Sequence, residues 1–128
     1  YEGAAFSHRV HMENLLRFRE RPTSIRISGG AARSRVWVQI FADVFQIPVE
    51  VSAASELGAM GAAMCAGIAT GAYEDFYGAV ETFAKVSYTC SPNPDKKQIY
   101  DDKFKLYQKL SIQLDSTWKE WKTVFKNG

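Results

Sequence analysis

Hydrophobic and polar positions along the chain alternate between two rhythms. On a helical wheel Tyr1, Ala5, His8, Met12, Leu15 and Leu16 share one arc of about 100°, which predicts a surface helix. Arg21-Pro22-Thr23-Ser24 breaks it, and Ile25-Arg26-Ile27-Ser28 then alternates as a short strand ending at Gly29-Gly30. A second helix is expected from about Ala32 to Arg35 onward, with Val36, Trp37, Ile40, Phe41, Val44 and Phe45 on one face. Pro48 stops it, and Pro48-Val49-Glu50-Val51 supplies a second strand, giving a βαβ unit whose strands run parallel.

The remainder reads as helical. From Ser55 to Thr70 a helix is predicted with Ser55 as cap, Glu56 at its positive end and Gly71 as the left-handed residue after it. Gly58, Ala62, Cys65, Ala66 and Ala69 form a flat small-sided face, and the cost of the internal glycines predicts that another backbone packs closely there. Asp75 caps a short helix carrying Phe76, Ala79, Val80 and Phe83, and Ser91-Pro92-Asn93-Pro94 is a linker. Tyr100, Phe104, Tyr107, Leu110, Leu114, Trp118, Trp121 and Phe125 then mark a long amphipathic helix, read as core or partner interface. Two four-residue strands are too little sheet for so many helices, since open sheets usually have about four to six strands, so part of a sheet is expected to be missing.

At 128 residues and 46% hydrophobic the chain is one globular domain's worth of polypeptide, and disordered or collagenous readings fall away. The longest apolar run, Ala59 to Ala69, is too short for a membrane helix of about 20 residues. Cys65 and Cys90 make neither a disulfide framework nor a CxxC zinc site, so a reduced, cytoplasmic chain is expected. Tyr1 to Phe6 has no initiator Met and no signal-peptide pattern, and reads as a cut end. The net charge of +2 conceals two basic ends, residues 1–35 and 96–128 at +4 each, around an acidic middle at −6. No continuous basic stripe with interleaved aromatics runs through it, so no nucleic-acid partner is expected.

Candidate chemistry is sparse. Ser28-Gly29-Gly30-Ala31-Ala32-Arg33-Ser34 joins a strand end to a helix start without bulk, so backbone N–H groups can meet a phosphate, with Arg33, Ser34 and Arg35 as further donors. A plain structural turn explains the same residues. His8 and His11 lie in or beside the apolar stripe of the first helix without a third metal ligand. Asp43, Glu50, Glu56 and Asp75 are acid or base candidates by type alone, and each fits a structural position better.

The run from Ile27 to Val49 closely resembles the GGGA-[KR]-S-x-x-W-x-Q-x-x-A-D-x-x-x-x-P-V stretch of FGGY-family carbohydrate kinases. Glu56-Leu57-Gly58-Ala59-Met60-Gly61-Ala62-Ala63 resembles the family's E-x-G-A-x-G-A-A helix, and Tyr1-Glu2-Gly3-Ala4-Ala5-Phe6 its EG-[IA]-A-F helix start, in the same order and spacing. The likeness fades only in the last 30 or so residues and is nearest to the xylulokinase and L-xylulose-kinase branch. Ala31 stands where the motif has its third glycine.

The resemblance implies an α/β fold, part of a ribonuclease H-like, actin-like ATPase lobe that is helix-rich with a short βαβ unit. Residues 1–128 would be the C-terminal part of the nucleotide-binding lobe, with 95–128 its terminal amphipathic helix. It implies ATP with Mg²⁺ as cofactors, a sugar or polyol substrate bound through an absent N-terminal lobe, and transfer of the γ-phosphoryl group to a hydroxyl. Gly29, Gly30 and Ala31 would face the nucleotide phosphates and Ser34 the adenine. The family's catalytic aspartate lies upstream of Tyr1, so no catalytic or metal-binding residue is expected in this chain and none is assigned to Asp43. The chain is expected to be inactive alone and to self-associate as a homodimer through exposed apolar surface, without a membrane partner. The alternative is a non-catalytic helical interaction module with a vestigial anion site, docking through Trp118, Trp121 and Phe125.

Overall fold

The computed structural model describes residues 1–54 and 56–126, the last stretch without the side chains of Lys122, Phe125 and Lys126. Its elements run α1 (Glu2–Leu15), β1 (Ile25–Ile27), a 3-10 turn (Gly30–Arg33), α2 (Arg35–Phe45), β2 (Val49–Ser52), α3 (Leu57–Ala69), α4 (Phe76–Phe83), β3 (Val86–Cys90), a second 3-10 turn (Pro94–Lys96) and α5 (Lys97–Lys126). β1 and β2 pair in parallel, Ile25 opposite Val49 and Ile27 opposite Val51, as the βαβ reading requires. The sheet has a third strand that the sequence reading left out: β3 lies antiparallel on the far side of β2, Tyr88 opposite Val51 and Cys90 opposite Val49. The result is a mixed, three-stranded sheet in a helix-rich α/β fold.

α2 is the centre of the packing. It touches β2 and β3 on one side and α1 and α5 on the other. This widens its buried arc beyond the predicted stripe: Val38 and Ala42 are fully buried, whereas Val36, at the open first turn, is 73% exposed. The core joins Val38, Phe41, Val44 and Phe45 of α2 to Val49 and Val51 of β2 and to Ala5, Phe6 and Phe104. Burying side chains of this kind stabilises by roughly 1.5–3 kcal/mol each.

α1 differs from its predicted stripe in the same way. Phe6, not Tyr1 or Leu15, is its anchor, and its ring lies 5.7–6.3 Å from those of Tyr100, Phe104 and Tyr107. Tyr1 and Leu15 are exposed. Arg9 ties the three helices together: it donates to the Val44 carbonyl at 3.1 Å, pairs with Asp101 at 2.7 Å and lies 4.3 Å from the centre of the Phe104 ring. Arg21 donates to the Phe45 carbonyl at 2.7 Å, so two cations serve the negative C-terminal end of α2.

Gly71 (φ +75°) ends α3 as expected, with the amides of Ala72 and Gly71 closing onto the carbonyls of Gly67 and Ile68. Ser55, predicted to cap α3, lies outside the described residues. The flat face of α3 is a correction: Gly58, Ala62, Cys65, Ala66 and Ala69 are exposed, and open space surrounds Gly58 and Gly61. α3 leans instead on α4, and close approach occurs only at Gly67, against the Tyr73 ring. Asp75 does cap α4, its carboxylate accepting from the Gly78 amide at 2.9 Å.

Candidate functional site

β1 ends at Ile27, and the chain then turns through Ser28 and Gly29 into the 3-10 turn. Gly29 has φ +75° and ψ −155°, a conformation open to glycine and strongly disfavoured for residues with a Cβ. Ala32 N–H donates to the Gly29 carbonyl and Ser34 N–H to that of Ala31, which leaves the amides of Gly30 and Ala31 ahead of the first donor of the turn. The α-helical turn begins at Arg35, the late end of the range that the sequence pattern suggested. Ser34 caps it, its Oγ accepting from the Trp37 amide at 3.3 Å.

A cleft of about 150 Å³ opens beside this turn. Ser28, Gly29, Ala32 and Arg33 form one wall, and the end of β2 with Ala53 and Ala54 forms the other. Nothing lies within 4 Å of where a Cβ on Gly29 or Gly30 would stand, so the backbone is open to a ligand. The four predicted residues do not share this one cavity. Gly29 lines the cleft, whereas Ala31 looks into a larger apolar groove of about 390 Å³ between α1 and β1.

The two arginines diverge. Arg33 lines the cleft and donates to Glu56 at 3.3 Å. Arg35 instead lies over the Tyr88 ring of β3, 4.8 Å from its centre. His8 and His11 line the apolar groove with Met12 and Leu15, and the His8 ring lies tilted against that of Phe41 with centroids 5.7 Å apart, a packing environment rather than a metal site. Among the described residues no group of three or more His, Cys, Asp or Glu is gathered.

The remaining acids are structurally engaged. Glu50 pairs with Arg26 across β1 and β2 at 2.8 Å, and the Arg26 hydrogen bond holds its carboxyl below the usual range. Asp43 is buried within α2, where Oδ1 accepts from Gln39 Nε2 and from the Asn93 amide, each at 2.7 Å. Cys90 donates through sulfur to Gln39 Oε1 at 2.9 Å, and burial pushes its thiol pKa up. The sequence offered no direct sign of this tie between α2, β3 and the following linker.

Comparison with known proteins places this strand, turn and helix in a class. The chain superposes on ligand-bound xylulose kinase from Lactobacillus acidophilus with a TM-score of 0.83 and 25% identity, over 94% of this chain and 24% of that one. The architecture is therefore that of part of an actin-like ATPase lobe of sugar kinases. Residues 1–70 match the C-terminal domain of the FGGY family of carbohydrate kinases, and the chain belongs to that family. It is 38% identical over 117 residues to L-xylulose/3-keto-L-gulonate kinase of Escherichia coli, which covers 89% of this chain and 23% of that protein. It is 30% identical over 102 residues to an autoinducer-2 kinase of Escherichia coli, 79% of this chain and 19% of the relative. The chain thus spans about a quarter of the length of these kinases or less. The resemblance read from the GGAARS turn and the E-x-G-A-x-G-A-A helix is borne out.

Proposed function

We propose that this chain supplies part of the ATP/ADP pocket of a kinase that phosphorylates a sugar or polyol hydroxyl. The observation that carries the reading is Gly29, held at φ +75° beside the cleft within the stretch that matches the kinase family. Gly29, Gly30 and Ala31 present backbone amides to the nucleotide phosphates, and Ser34, two residues beyond Ala32, stands by the adenine. The Ser34 hydroxyl can still donate, because capping α2 uses only its acceptor side. ATP, when bound, supplies the transferred phosphoryl group. Mg²⁺, when bound with the nucleotide, would neutralise phosphate charge.

On this reading 1–128 is the C-terminal part of the nucleotide lobe and 95–128 its terminal helix, in a cytoplasmic enzyme. The catalytic base and the sugar contacts come from elsewhere in the kinase, so the 128-residue chain binds nucleotide but turns over no sugar. Among the described residues no helix is long and apolar enough to cross a membrane. Titration of the chain with ADP and with ATP·Mg, followed by amide chemical shifts, tests the pocket. Shifts centred on Ser28 to Ser34 support it, and shifts elsewhere or none refute it. Sugar phosphorylation by the isolated chain would refute the division of labour.

A specific observation also favours a docking role for α5. Its first turns are packed on the core through Phe104, but Leu110, Leu114, Trp118 and Trp121 continue the same stripe in exposed positions. We assign this outer half to association with a second copy or with the rest of the kinase.

A further inference from the structure

We infer that Glu56 is a built-in competitor of the phosphate ligand: its carboxylate holds Arg33 at the side of the Gly29 cleft and gives that guanidinium up when phosphate enters. The inference rests on the reading of this cleft as the phosphate site.

Arg33 belongs to the 3-10 turn and lines one wall of the cleft. Glu56 follows two residues after Ala54, which lines the other wall, and it precedes the first turn of α3. Its side chain makes no capping hydrogen bond to that helix. Arg33 Nη2 instead donates to Glu56 Oε1 at 3.3 Å across the gap, with 73% and 72% of the two side chains exposed. So long and exposed a pair contributes little and breaks readily. A phosphate group offers the guanidinium several oxygens in a geometry that permits two parallel bonds, which is the stronger partnership.

Neighbouring cations are committed elsewhere. Arg35 lies over Tyr88, and Lys85 Nζ donates to the Glu81 carbonyl at 2.6 Å. Arg33 is therefore the cation that this wall of the cleft presents to an anion, and Glu56 is the negative charge beside it. The carboxylate opposes phosphate twice, by occupying Arg33 and by like-charge repulsion at short range. A merely structural pair, which fastens the turn to α3, predicts the opposite sign: removing the carboxylate would loosen the turn and weaken binding.

The test titrates the 128-residue chain and its Glu56→Gln and Arg33→Gln variants with ADP and, separately, with inorganic tripolyphosphate, at low ionic strength and without Mg²⁺. Glu56→Gln is expected to tighten both ligands by roughly fivefold, and Arg33→Gln to weaken both by a similar factor. In the double variant the gain from Glu56→Gln shrinks, because the cation it frees is gone. Unchanged or weaker binding by Glu56→Gln, while the unaltered chain binds, overturns the competitor role and leaves the phosphate site standing. Tightening of ADP without tripolyphosphate overturns it as well, by placing Glu56 against the nucleoside. No binding of either ligand by any folded variant overturns the competitor and the phosphate site together.

Discussion

Asp43 Oδ1 accepts a hydrogen bond of 2.7 Å from the amide of Asn93, fifty residues along the chain. The same oxygen takes the Gln39 amide at 2.7 Å, and Gln39 also donates to the Ser91 carbonyl. A buried carboxylate thereby fastens the linker before α5 onto α2. Asp43→Ala is expected to destabilise the fold by about 1–3 kcal/mol, because it strands buried donors. Asp43→Asn keeps one acceptor oxygen and costs less. Urea unfolding followed by tryptophan fluorescence measures both. ADP affinity is expected to be unchanged in Asp43→Asn, and its loss with stability intact would assign the aspartate a role in the site instead.

Gly29 and Gly30 separate conformation from space. Both have room for a Cβ, but only Gly29 has positive φ. Gly29→Ala is expected to cost about 1–3 kcal/mol in backbone strain and to weaken ADP binding by distorting the cleft. Gly30→Ala leaves the unfolding midpoint within about 0.5 kcal/mol of the unaltered protein. Equal destabilisation by the two would show that the turn does not hold Gly29 in its left-handed form.

Asp101 predicts acid sensitivity. Its hydrogen bond with Lys97, then that with Arg9, hold its pKa below the ordinary aspartate value. The ionised form is favoured in the folded state, so the pair's contribution is fully present above the unfolded pKa of about 3.9 and is lost as pH falls through the lower folded value. Comparing urea midpoints at neutral pH and near pH 3, Asp101→Asn should narrow the difference between the two. An unaltered acid response would mean that the Arg9 tie between α1 and α5 carries no net stability.

What the sequence made legible follows from how local each signal is. The βαβ unit was readable because the period of α2 and the alternation of β1 and β2 are local, and Asp75 and Gly71 announce their caps by residue type. β3 escaped because Val86, Tyr88 and Cys90 alternate weakly beside Ser87 and Thr89, and its pairing with β2 is set by a distant partner. That omission misplaced Arg35, which was taken for a phosphate donor although Tyr88 on the unread strand receives it. The 3-10 turn before α2 was invisible for a different reason: Gly30–Arg33 and the first turn of an α-helix share the same small residues. The family motif pointed to the turn as a stretch, but spacing could not say that Gly29 would line the cleft while Ala31 lines the groove beside α1.

The two halves of α5 should respond oppositely to substitution. Phe104 is buried among Phe6, Tyr107 and Arg9, and Phe104→Ala is expected to cost about 3–5 kcal/mol. Leu114 and Trp118 are 45% and 56% exposed on the helix beyond the core, so a Leu114→Glu/Trp118→Glu pair should leave the unfolding midpoint nearly unchanged. The same pair should abolish self-association, because a charged stripe cannot desolvate against a second copy. Sedimentation equilibrium of the unaltered chain and this variant separates the readings. A concentration-dependent dimer that the variant loses supports docking through α5. A monomer at high concentration in the unaltered chain removes the second copy and leaves the rest of the kinase as the partner for this stripe.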